Sequence, residues 1–176
     1  EEVRILRAAG RNPRIFRRKQ NETAFEGRPG DNATLTKLGA GIFQLRDSYG
    51  SVLRYDTPGI AAGEILLTYA EDPRGRRESY GYTGGRLTSV SNDLGQTRTY
   101  AYHASGRILS TTDHLGDTTT FGYDASFEHL LTITAPRGQV TTFEYYQGEG
   151  AAREHAVKKI IQPGGSILNF EFDEQG

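Results

Sequence analysis

The chain has no cysteine, so neither a disulfide framework nor a thiolate metal site is available to it. Its net charge is −1, which leaves no global field to select nucleic acid or an acidic membrane surface. No apolar run approaches the length of a transmembrane helix. No methionine opens the chain, and Glu1-Glu2 is the wrong start for a signal peptide. The sequence therefore reads as a piece of a longer protein. Hydrophobic residues make up 35% of its 176 positions, a low share for a compact domain of this size. What it has instead is 22 glycines and 10 tyrosines, the composition of turns and half-buried strands. A chain too poor in apolar residues for a thick core still forms a single sheet of amphipathic strands. An extended or curved sheet is expected rather than a sandwich.

The glycines are periodic. Gly75 is followed at five and seven positions by Tyr80 and Tyr82, and Gly95 by Tyr100 and Tyr102. Gly116 leads to Phe121 and Tyr123, Gly138 to Phe143 and Tyr145, and Gly165 to Phe170 and Phe172. Gly50 leads to Tyr55 and then Thr57, a degraded copy. Rings two apart share one side of a strand. The position three before each glycine holds Asp47, Asp72, Asn92, Asp113, Ala135 or Gln162. Asp and Asn there bond the backbone two residues on. Pro73, Pro136 and Pro163 preset φ at the next position, and glycine suits the fourth. A type I turn followed by a left-handed glycine makes a hairpin with a bulge. Each copy is predicted to be two short antiparallel strands, in an array with a period of one hairpin.

Two copies are lengthened at the same turn, by residues 57–63 and by residues 147–156, so both insertions are expected at one rim of the sheet. Residues 1–40 are less regular. Val3 to Leu6 and Arg14 to Lys19 read as strands around a turn at Gly10. Arg11, Arg14, Arg17, Arg18 and Lys19 form the most basic patch. It reads either as a polyanion contact with Phe16 stacking or, the preferred reading, as a strand with a solvated basic face. Gln20 to Asn32 is polar, with Gly27, Pro29 and Gly30, and reads as a loop or hairpin tip. Thr34 to Leu38 and Ile42 to Leu45 read as a hairpin about Gly39-Ala40-Gly41. Glu64 to Ala70 and Val157 to Ile161 read as strands, and the segment before Val157 reads as a loop holding no more than one helical turn. At Gly176 the sheet ends on an unpaired edge.

No constellation for chemistry is legible. His103, His114 and His129 fall at or beside turns, and no two of the four histidines have a metal-ligand spacing. Asp113-His114 with Ser110 invites a triad, but neighbours on a tight turn diverge. Asp72 of Glu71-Asp72 is a turn residue, and neither it nor Asp173-Glu174 has a second carboxylate across a cleft. Gly84-Gly85-Arg86 lacks the lysine and helix of a phosphate loop. Arg86 and Arg107 are placed to reach an acidic turn of a neighbouring copy. The expectation is no catalytic residue, no metal and no cofactor. The aromatic columns, Tyr80, Tyr100, Phe121, Phe143 and Phe170 with Tyr82, Tyr102, Tyr123, Tyr145 and Phe172, read as structural ladders that fix register. A carbohydrate platform is the alternative, and substituting Tyr102 and Tyr123 discriminates the two.

Tyr-x-Tyr, a turn with Gly-Arg-Leu or Gly-Arg-Ile, then Asp-x-x-Gly resembles the YD repeat of the RHS family. The matching copies are Tyr80 to Gly95, Tyr100 to Gly116 and Phe121 to Gly138, and Tyr123-Asp124 carries the eponymous pair. Thr83, His103 and Tyr146 stand where other copies would have the aspartate. The resemblance covers residues 41–176 well and residues 1–40 loosely. It implies an all-β fold, a curved antiparallel sheet of stacked β-hairpin repeats that forms a segment of a spiralling shell. It further implies a non-catalytic wall around a C-terminal toxin in a secreted or cell-surface bacterial protein. The partners would be further repeats of the same polypeptide and the enclosed domain, without nucleic acid. An adhesion module gripping glycan or a surface protein through the aromatic face and insertions is the other expectation.

Overall fold

In the computed structural model, residues 2–5, 14–18, 22–59, 61–148 and 154–172 are described. The protein is all-β. Among the described residues there is no helix, and consecutive strands pair antiparallel within each of two units, Glu1–Thr97 and Arg98–Gly176. Gly10, Arg11, Lys19, residues 149–153 and Asp173-Glu174 lie outside the described residues.

The first unit holds β1 (Glu2–Ile5), β2 (Arg14–Arg17), β3 (Ala24–Gly27), β4 (Thr34–Gly39), β5 (Ile42–Arg46), β6 (Val52–Pro58), β7 (Ile65–Glu71), β8 (Arg77–Thr83) and β9 (Arg86–Asn92). The segment expected to be a loop, Gln20 to Asn32, contains β3. It pairs Phe25 with Leu35 of β4 and Glu26 with Arg17 of β2. Its alternation of Ala24, Phe25 and Glu26 is too short to stand out among polar neighbours, yet Phe25 is 1% exposed.

The first unit is a single antiparallel sheet, as expected, and carries an apolar cluster that the composition did not single out. Phe16, Phe25 and Leu35 are fully buried, with Ala33, Phe43 and Leu45 around them. Val3 and Ile5 of β1 pack on the same cluster as Leu53 and Tyr55 of β6 and Ile65 of β7. On a flat sheet β1 and β6 would stand about 24 Å apart at ~4.8 Å per strand. Val3 and Ile5 nevertheless line one groove with Tyr55 and Ile65, so the sheet curls over its own face within this unit. Each fully buried large side chain contributes roughly 1.5–3 kcal/mol. Phe16 is thus a core residue and not a stacking platform. Arg14 is ion-paired with Asp31, and Arg17 bonds Glu2 at 3.0 Å, so two of the patch's arginines are neutralised locally.

The second unit holds β10 (Thr97–Tyr102), β11 (Ile108–Thr112), β12 (Thr118–Tyr123), β13 (Leu130–Thr134), β14 (Val140–Tyr145), β15 (Val157–Ile161) and β16 (Ile167–Asn169). Its strands are half-buried on average, as an amphipathic sheet requires.

Candidate functional site

The repeat unit is built twice over from backbone geometry. At each of the six turns the fourth residue's N–H donates to the first residue's carbonyl, and the first residue's N–H donates to the carbonyl of the residue after the glycine. Gly50, Gly75, Gly95, Gly116, Gly138 and Gly165 all lie at φ between 76° and 95°. In four turns a side-chain oxygen braces this. Asp47, Asp72, Asn92 and Asp113 each accept from the backbone N–H two and four residues on, at 2.9–3.1 Å. Ala135 and Gln162 keep the same backbone bonds without that brace, behind Pro136 and Pro163.

A β-bulge recurs at the second aromatic residue of four copies. Tyr82, Tyr102, Tyr123 and Tyr145 face Leu87, Ile108, Leu130 and Val157, while their preceding residues face Ser89, Ser110, Thr132 and Lys159. One residue on the return strand is therefore extra in these four copies: Thr88, Leu109, Leu131 or Lys158. In the degraded copy the register shifts on both sides of Tyr55, the first aromatic position. A bulge bends its strand and increases local twist.

The register also places the aromatic residues. Across their own hairpins, Tyr80 faces Val90, Tyr100 faces Thr111, Phe121 faces Ile133 and Phe143 faces Ile160. Within the second unit the aromatic strands are β10, β12 and β14, with β11 and β13 between them. Successive rings are thus two strand spacings apart, about 10 Å, and an aliphatic or threonine rung separates them. The hydroxyls of Tyr82 and Tyr145 donate to the carbonyls of Leu67 and Leu130 at 2.8 and 3.0 Å, each on the preceding strand. Tyr80 donates to Glu78 at 2.7 Å; burial and then that carboxylate push its phenol up to about 12. Phe172 meets Tyr146 edge-on at 6.1 Å, and Phe170 is 37% exposed.

One copy departs from the pattern. After Tyr123-Asp124 the turn glycine is replaced by Phe127, held at φ 59°. Such a conformation costs a non-glycine residue roughly 1–2 kcal/mol. The Phe127 ring packs against His103 at 5.1 Å and Tyr123 at 6.2 Å, which offsets that cost. Asp124 Oδ1 accepts from the N–H groups of Glu128 and His129, and Oδ2 lies 2.7 Å from His129 Nδ1. The bond to His129 is the largest cause holding the Asp124 carboxyl down at about 2. His129 is 5% exposed and lies 4.6 Å from the Tyr145 ring. Its Nε2 is 2.8 Å from Nδ1 of His155, itself at φ 70°. With centroids 4.9 Å apart and planes 25° apart, the two imidazoles meet edge to edge rather than face to face. The ionised Asp124 carboxylate accepts a hydrogen bond from His129 Nδ1–H, which leaves Nε2 to accept from His155.

This cluster is the feature that spacing rules missed. His129 and His155 are 26 residues apart, beyond any short motif. Each sits at a hairpin tip, however, and the repeat register puts those tips at one rim. Of the other expected groups, Asp113 is engaged as a turn brace, while Ser110 pairs in the sheet with Ala101 and Thr120. Arg107 Nε donates to the carbonyl of Phe127 at 2.9 Å, so it does reach the neighbouring copy's turn, though a carbonyl rather than a carboxylate. In the first unit, Val3, Ile5, Phe43, Tyr55 and Ile65 line an open groove of about 600 Å³.

The family model described as RHS Repeat matches residues 83–113 and 102–127. Residues 83–127 are RHS repeats. The match runs from the end of β8 through the turn that holds Asp124. The same turn recurs outside it at Gly50, Gly75, Gly138 and Gly165, and the same bulge at Tyr82 and Tyr145. RHS repeats are structural repeats, and the chain is a structural repeat protein in that sense. No curated protein matches the chain. No helix among the described residues is long and apolar enough to cross a membrane.

Proposed function

We propose that this chain is a non-catalytic wall segment of an RHS shell that encloses the C-terminal toxin or effector domain of a secreted or cell-surface bacterial protein. The supporting observation is the bulge at the second aromatic position of four successive copies. A hairpin array stabilised neighbour by neighbour lengthens without a larger core, and a bend in successive repeats lets a single layer wrap around a volume. Protease treatment of the intact polypeptide tests this. The part C-terminal to the repeats is expected to resist trypsin while the wall is folded and to be cut once Phe25→Ala has loosened it. Digestion of that part at equal rates in both proteins contradicts an enclosing wall.

One observation favours a second reading, an adhesion module. Tyr49, Leu94 and Leu115 occupy the same turn position and are 84%, 83% and 75% exposed. Apolar apices recurring on turns suit contact with a partner protein or a glycan. Loss of surface binding by Leu94→Ser and Leu115→Ser with unchanged melting supports this reading, and unchanged binding removes it.

A further inference from the structure

We propose that Glu128, His129 and His155 form a zinc site that fastens the end of the inserted link after Tyr145 to the turn after Tyr123. One ligand atom from each of the three lies within 4.8 Å of the others. Two imidazoles and a carboxylate are a ligand set that zinc takes, with solvent left for the fourth position.

The buried histidine is already prepared for a metal. Asp124 holds His129 Nδ1 at 2.7 Å, which fixes the ring and turns the Nε2 lone pair toward His155. A carboxylate behind a ligating histidine is the usual outer partner at zinc sites. His129 has 5% exposure and its ring is packed on Tyr145, so it cannot turn away. His155 is held at a backbone conformation unfavourable to it, with its Nδ1 aimed at the same point. The two nitrogens are 2.8 Å apart. Tetrahedral zinc at about 2.1 Å from each needs them about 3.4 Å apart. His155 and Glu128 are exposed and can make that small adjustment while His129 stays fixed. Without metal, the direct imidazole–imidazole bond closes the same gap.

The repeat pattern supports the assignment independently. Other copies hold Gly-Arg at this turn, as in Gly106-Arg107. This copy has Phe127-Glu128-His129 instead, and the facing tip has been lengthened to deliver His155. Neither change is needed to form a hairpin.

The test is calorimetric titration of the full 176-residue chain with zinc sulfate after treatment with a chelator. The expected result is one saturable zinc per chain and a higher melting temperature with zinc than without. X-ray absorption should then show two imidazole nitrogens at about 2.0–2.1 Å. His155→Gln, an exposed position, should bind at least tenfold more weakly and lose the zinc-dependent rise in melting. Asp124→Asn, which keeps the Oδ1 acceptor, should weaken binding about 10–100-fold. If His155→Gln fails to fold in chelator, Glu128→Gln takes its place with the same expected loss. Absence of saturable binding by the unaltered chain, or equal binding by it and the folded variant, overturns the proposal.

Discussion

Gly116 sits at φ 88° with open space where a Cβ would go, so its constraint is backbone conformation alone. Gly116→Ala should cost about 1–2 kcal/mol, read by chemical denaturation. Gly81 is constrained differently. A Cβ there would meet only the Ser89 hydroxyl, which rotates freely, and Ala101 opposite Ser110 shows that alanine fits the equivalent position. Gly81→Ala should therefore fall within about 0.5 kcal/mol of the unaltered chain, because alanine also removes glycine's entropic penalty in a strand. Equal losses at both positions would contradict this assignment. Asp72 supplies a pH test. The Arg76 guanidinium, then the N–H groups of Arg76 and Arg74, hold its carboxyl below the ordinary range. Its folded value is lower than its unfolded value, so its contribution is complete above about pH 3.9 and is lost as pH falls through the folded value. Asp72→Asn should flatten the fall in stability below about pH 4, and an unchanged acid profile would contradict that.

At the scale of the hairpin, the turns were legible in the sequence because Asp-x-x-Gly and Pro-x-Gly state their geometry directly. The glycine bulge of those turns was legible with them, but the bulges at Tyr82, Tyr102, Tyr123 and Tyr145 were not, since one extra residue on a return strand leaves the aromatic spacing untouched. At Tyr82 and Tyr145 the hydroxyls also cross to the preceding strand. Tyr145→Phe should cost about 1 kcal/mol through loss of the bond to Leu130, measured by urea denaturation, whereas an effect near zero would mean that water replaces the tyrosine hydroxyl. β3 escaped the sequence reading because four residues carry too little alternation to outweigh the glycines and proline around them. The Asp124–His129–His155 cluster escaped it because its members meet only once two hairpin tips are set at one rim.

Across the chain, the two units rest on different physics. The first has a closed apolar cluster, and Phe25→Ala should cost about 3–5 kcal/mol, enough to unfold a marginal domain. The second has its apolar residues shared among half-buried strands, so no single truncation there should match that loss. Low hydrophobic content correctly pointed to a thin sheet for the regular repeats. It did not single out residues 1–58, where Phe16, Phe25, Leu35 and Phe43 concentrate what little there is. The proposed enclosing wall depends on the bend repeated at Tyr82, Tyr102, Tyr123 and Tyr145. Electron cryomicroscopy of the intact polypeptide tests it most directly. The predicted result is residues 80–145 in the wall of a hollow β shell, bulges at Tyr82, Tyr102, Tyr123 and Tyr145, and density for another domain inside. A solid body, or repeats in an open strip with the remaining chain outside it, would contradict the account.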